Sequence, residues 1–256
     1  MKRISRGSVT SRPALLGAVV LLALTSASVA SADDGTGPFG VTVDAAANRW
    51  SARVGALFAA DGAGGPAGGH FCTASVAHSP HGDLIVTAAH CLDDPDRGLV
   101  FVPGYRGGRA PYGVWKVTRR FLPGGWARDR DEDSDLAFAA VAGRDGGRVE
   151  DVVGGYRFRP GVATGATAVT VTGYPGSREV PVTCTDKPVP HSRTQQRVDC
   201  PDFTSGTSGS PWVNGDHEIV GVLGGHEEGG STPGTSYSVV LGCAAAELYA
   251  EAAEGS

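Results

Sequence analysis

Three short segments hold a base, an acid and a nucleophile of the kind acyl transfer requires. The first is Thr87-Ala88-Ala89-His90-Cys91, directly after the apolar run Leu84-Ile85-Val86. His90 therefore sits just past a predicted strand end. An imidazole titrates near neutrality, so a His held in one orientation can act as a general base. Alone it would read as a polar loop residue, as His70, His78 and His81 do nearby. The second segment is Asp133-Ser134-Asp135-Leu136-Ala137-Phe138. Asp135 leads straight into an apolar strand, at the edge of a core, where a carboxylate can orient an imidazole through its Nδ1–H. Asp131, Glu132 and Asp133 fit a solvated acidic loop better. The third segment is Gly206-Thr207-Ser208-Gly209-Ser210-Pro211. Glycines on both sides of Ser208 allow a tight turn that other residues disfavour. Such a turn can aim successive N–H groups at one point, which an oxyanion hole requires, with Gly206 N–H and Ser208 N–H as the donors.

Thr87–Cys91, Asp135–Ala137 and Gly206–Pro211, in the order His, Asp, Ser, resemble the trypsin/chymotrypsin-like serine protease family, in the style of its compact secreted bacterial members. Phe71-Cys72-Thr73-Ala74-Ser75 resembles the strand facing the His loop, and Gly173-Tyr174-Pro175 resembles a turn of the second barrel. The resemblance spans nearly the whole chain after residue 32. It implies an all-β fold of two six-stranded antiparallel β-barrels, chymotrypsin-like, with a C-terminal α-helix. It implies His90, Asp135 and Ser208 as a catalytic triad that hydrolyses peptide bonds through an acyl-enzyme. Protein or peptide substrates follow, with no cofactor and no metal.

Two departures limit what the resemblance implies. Thr207 stands where trypsin-type zymogens carry the Asp that pairs with a newly freed amine. Arg53-Val54-Gly55 looks like an activation site, but without that Asp a free amine at Val54 has no buried partner. Asp202 lies six residues before Ser208, the offset of the pocket Asp that recognises Arg or Lys. Yet Thr204 replaces the usual Cys beside it. The opposite wall reads Gly221-Val222-Leu223-Gly224-Gly225-His226, with Gly224 and His226 as substrate-binding candidates. His226 favours acidic side chains, as in glutamyl-specific relatives, so the pocket carries two opposed expectations.

The elements that must position these residues are short strands between turns. Gly accounts for 39 residues and Pro for 16 of 256, and β-favouring runs recur at 54–58, 83–87, 113–117, 135–141, 168–172 and 219–223. That pattern predicts a sandwich or barrel and disfavours alternating βαβ units. One helix is predicted, over 244–253, rich in Ala, Glu and Leu. Residues 62–69 read as a surface loop, 128–135 as a charged loop, and 143–147 as the connection between two halves.

The chain opens with Lys2, Arg3, Arg6 and Arg12, an apolar run over 14–24, and Ala30-Ser31-Ala32 before Asp33-Asp34. That is the order of a Sec-type signal peptide, and it predicts a secreted, extracellular protein. The apolar run is too short for a membrane span. Residues 1–32 are then the signal peptide and 33–52 an N-terminal extension or short pro-segment. Residues 53–256 form the catalytic domain, with barrels over about 53–142 and 148–256. The formal charge is −5, and removing the first 32 residues takes away only cations. An acidic remainder offers no footprint for nucleic acid or an anionic membrane, and a monomer is expected. Export makes disulfides plausible for the five cysteines. Chain order suggests Cys72–Cys91 and Cys184–Cys200, although sequence does not fix connectivity. No C-x-x-C pair supports zinc. Cys243 reads as a small buried residue opening the last helix. Two rivals stand: a catalytically silent binding module on the same fold, and a secreted esterase. An α/β-hydrolase esterase needs Gly-x-Ser-x-Gly and the order Ser, acid, His, and neither is present.

Overall fold

β2 (Val54–Ala59), β3 (Cys72–Val76), β4 (Leu84–Thr87), β5 (Leu99–Pro103), β6 (Trp115–Phe121) and β7 (Ala137–Val141) close into a barrel in the order β2-β3-β4-β7-β6-β5. The computed structural model describes residues 38–60 and 69–256, all within the unit Thr36–Ser256. The signal segment and all but the last residue of the 62–69 loop lie outside the described residues. β2, β4 and β7 are almost continuously buried, because both faces of each strand are covered. Alternate residues serve two cores. Leu57, Ile85, Ala137 and Ala139 pack with Phe101 and Trp115. Phe58, Leu84, Val86 and Phe138 turn the other way, toward Tyr156, Phe158, Tyr174 and Ile219 of the second half. β6 has one wet face and alternates, with Trp115 and Val117 buried while Lys116 and Thr118 are exposed.

The remaining strands are β1 (Val41–Asp44), β8 (Arg157–Phe158), β9 (Val169–Gly173), β10 (Val182–Asp186), β11 (Val189–Pro190), β12 (Gln195–Val198), β13 (Pro211–Asn214), β14 (Glu218–Val222) and β15 (Ser236–Val239). Six of them form one sheet, β1-β10-β9-β13-β14-β8, and three form another, β11-β12-β15. The two sheets meet at a single bridge between Leu223 and Ser238. Among the described residues the strands pair antiparallel except for β8 on β14, and one isolated bridge, Ala77 to Tyr156, is also parallel. The layout is thus the expected all-β one; among the described residues the first half closes as a barrel, while the second consists of two sheets joined at that bridge. β1 comes from the stretch read as an extension, yet it pairs along β10 from Val41 to Asp44.

Two short helices, α1 (Gly124–Asp129) and α2 (Val149–Val153), lie in connections. α3 (Cys243–Gly255) buries Ala245, Leu248, Ala252 and Ala253. Its Tyr249 packs on Phe138 of β7 and Phe158 of β8 and donates to the carbonyl of His78 at 2.6 Å. The helix therefore joins the end of the chain to the first barrel. Cys243 does open this helix, but it is exposed and unbonded, contrary to expectation. The buried stripe begins at Ala245 and leaves position 243 on the wet side.

Candidate active site

His90 lies in a 3-10 turn, Ala89–Cys91, immediately after β4. The turn is tied to β3 by the Cys72–Cys91 disulfide, and Cys184–Cys200 forms the second bridge. Trp126 of α1 covers the imidazole, with ring centroids 6.3 Å apart.

Asp135 follows another 3-10 turn, Glu132–Ser134, and has no exposed surface. A buried carboxylate without partners would be strongly destabilising. Here Oδ1 accepts from the His90 main-chain N–H at 3.0 Å, and Oδ2 accepts from His90 Nδ1 at 2.8 Å and from Gly225 N–H at 2.7 Å. A carboxylate only accepts, so the imidazole proton sits on Nδ1 and Nε2 is left as an acceptor.

Ser208 sits on a turn that only glycines permit. A Cβ at Gly209, where φ is +86°, would fall 2.0 Å from the Thr73 carbonyl and 2.1 Å from Thr87 Oγ1. Ser208 Oγ donates to the carbonyl of Glu228 at 3.4 Å, and among the described residues no hydrogen bond joins it to His90. His90, Ser208 and Gly206 instead line one pocket of about 180 Å³. The Ser205 carbonyl accepts from Gly176 N–H at 2.7 Å. In a trans peptide C=O and N–H point opposite ways, so this bond turns Gly206 N–H away from Gly176. Among the described residues neither Gly206 N–H nor Ser208 N–H has an acceptor.

A second pocket of about 420 Å³ adjoins Ser208, lined on one side by Phe203 to Ser205 and Thr207, on the other by Leu223 and the 227–233 loop. Glu227 and Glu228 are its charged residues, and among the described residues no Lys, Arg or His lines it. Both take left-handed backbone conformations, at φ +50° and +55°. A hydrogen bond from Ser231 holds the Glu227 carboxyl below the ordinary glutamate range, aided by His226 and His191.

The structure does not bring Asp202, Gly224 or His226 to this pocket. Asp202 is exposed in a left-handed turn two residues after the bridged Cys200, and it does not line the cavity. Gly224 stands behind the acid, where a Cβ would lie 2.8 Å from Asp135 Oδ2. His226 turns to the far side, stacking on His191 at 4.7 Å and approaching Glu132 at 3.3 Å. Sequence reasoning missed Thr73, Trp126, Gly225 and the two glutamates. Of these, Thr73, next to Cys72, and Gly225, next to His226, lie within segments it singled out. Cys72, His90 and Cys91 are the one group among the described residues with metal-ligand spacing. Both sulfurs are taken by the disulfide, so the group has no thiolate to offer.

A model of the trypsin-like peptidase domain matches residues 72–222, which contain His90, Asp135 and Ser208. The glutamyl endopeptidase of Bacillus licheniformis is 31% identical over 135 residues, covering 50% of this chain and 41% of that protein. The chain spans less than half the length of the curated relatives it matches. Among solved structures, the protease Anisep from Arthrobacter nicotinovorans superposes with a TM-score of 0.69 at 25% identity, covering 79% of this chain and 96% of that one. A thermostable serine protease, AL20, from an extremophilic microorganism gives 0.70 at 25% identity, covering 82% and 100%.

Proposed function

Because the chain belongs to the trypsin-like peptidase domain family, we propose that it is a secreted serine endopeptidase whose triad is His90, Asp135 and Ser208. The observation that carries this reading is the buried Asp135, bonded to His90 Nδ1 at 2.8 Å beside a pocket that His90 and Ser208 share. Ser208 attacks the scissile carbonyl while His90 Nε2 takes its proton. Asp135 keeps the imidazole in the required tautomer and stabilises the imidazolium. Gly206 and Ser208 N–H groups receive the developing oxyanion. His90 then protonates the leaving amine, and water hydrolyses the acyl-enzyme through the same base. The two disulfides and the leader-like opening support action outside the cell.

The substrate side chain beside the scissile bond is basic in this reading. A cavity whose charged lining residues, among those described, are two glutamates favours Arg or Lys over Glu or Asp. The glutamyl preference in the name of the Bacillus licheniformis relative is therefore not carried over. Labelling with a fluorophosphonate tests the chemistry. An adduct on Ser208 that is lost in Ser208→Ala and His90→Ala supports the enzyme. A folded protein that neither labels nor cleaves a peptide library refutes it and favours a binding module.

A further inference from the structure

Thr73 lies on β3 beside Cys72, with no exposed surface, and meets the nucleophile loop at two points. Its N–H donates to the Ser208 carbonyl at 2.7 Å, a bond that almost any residue there would make. Its hydroxyl does something specific: Oγ1 donates to the Gly206 carbonyl at 3.0 Å and accepts from Tyr174 N–H at 2.9 Å. The Thr73 carbonyl is held in turn by Thr87 Oγ1 at 2.7 Å, one strand nearer His90.

The consequence falls on Gly206. The peptide before it is oriented by Gly176 N–H on the Ser205 carbonyl, and the peptide after it by Thr73 Oγ1 on its own carbonyl. With both flanking planes tied, the φ and ψ of Gly206 are no longer free, although glycine is otherwise the most mobile residue. Its N–H is thereby kept in one direction before any substrate arrives.

The zymogen device that could do this job is absent. Thr207 is buried, and its hydroxyl donates within its own loop to the Thr204 carbonyl at 2.7 Å. The Val54 N–H is used in the turn before β2, donating to the Ser51 carbonyl.

We propose that Thr73 is the positioning residue that holds the oxyanion loop assembled through its hydroxyl, in place of a freed N-terminal amine. This rests on the reading of Gly206 and Ser208 as the oxyanion donors. A preorganised donor contributes most in the transition state, so its loss lowers kcat while leaving substrate affinity intact.

The test uses the full secreted chain with Thr73→Val, Thr73→Ala and Thr73→Ser, each checked by thermal unfolding. Thr73→Val and Thr73→Ala are expected to lose on the order of 10- to 100-fold in kcat at unchanged KM. Fluorophosphonate labelling of Ser208 slows in parallel, and Thr73→Ser restores both. Thr73→Ala adds no bulk and keeps the measurement open where Thr73→Val folds poorly. Wild-type kcat in either variant, or a loss that Thr73→Ser does not recover, overturns the proposal. Ser208→Ala with intact hydrolysis overturns the parent reading instead, so the two failures are told apart.

Discussion

The hydroxyl of Ser208 donates to the main-chain carbonyl of Glu228 at 3.4 Å, across the mouth of a pocket that Glu228 and Glu227 line. At that length the bond is weak, and a substrate entering the pocket has little to displace. The same two glutamates hold left-handed backbone angles that non-glycine residues adopt at a cost. Charge and strain therefore sit on the same residues, and substitution separates them.

Replacing Glu228 with Gln is expected to lower kcat/KM for Arg and Lys substrates on the order of tenfold, with little change for neutral ones. Glu228→Gly removes the same charge and relieves the backbone, so it loses basic preference while gaining about 1 kcal/mol of stability. A cleavage profile and urea unfolding read the two effects. Unchanged preference in both variants would put recognition elsewhere, with Asp202→Ala as the next measurement.

Asp135→Asn keeps the volume but turns an amide toward three N–H donors. The tautomer of His90 is then no longer enforced, and kcat is expected to fall by about 10⁴. Steady-state kinetics on a protein with intact disulfides checks it. A loss of only a few-fold would remove Asp135 from the proposed triad.

Arg53→Gln blocks cleavage before Val54. Since no carboxylate stands at Thr207 to receive an amine at Val54, hydrolysis is expected at the wild-type rate. N-terminal sequencing alongside an activity assay decides; an inactive but folded variant would reinstate activation by a free amine.

Tyr174 is fully buried, and burial pushes its phenol well above the ordinary tyrosine range. The fold therefore binds this proton more tightly than the unfolded chain does. The resulting stability is complete below the unfolded pKa of about 10 and is lost as pH rises above it. Unfolding by urea at pH 9 and pH 11 should show a steeper alkaline loss in the wild type than in Tyr174→Phe. Equal slopes would mean that Tyr174 does not drive it.

The proposed triad was legible because each of its residues is encoded locally. His90 and Asp135 stand at strand ends that apolar runs announce, and Ser208 stands in a turn that only glycines can make. Chain order also suggested the cysteine pairs, since each bridge closes a short segment, 19 and 16 residues apart. Cys243 defeated the same reasoning, because which face of a helix is buried depends on what lies across from it.

The pocket was decided by tertiary structure alone. Asp202 had the right offset from Ser208, but the left-handed turn after Cys200 leaves it in solvent. His226 is drawn away by His191, which precedes it by 35 residues, and by Glu132, which precedes it by 94. Gly224 packs against Asp135, 89 residues before it, and Thr73 reaches Gly206 across 133. Motifs fix the backbone of a turn through the steric limits of their own residues. Which side chains converge on that turn depends on partners distant in the chain, and only the packing of the two halves brings those together.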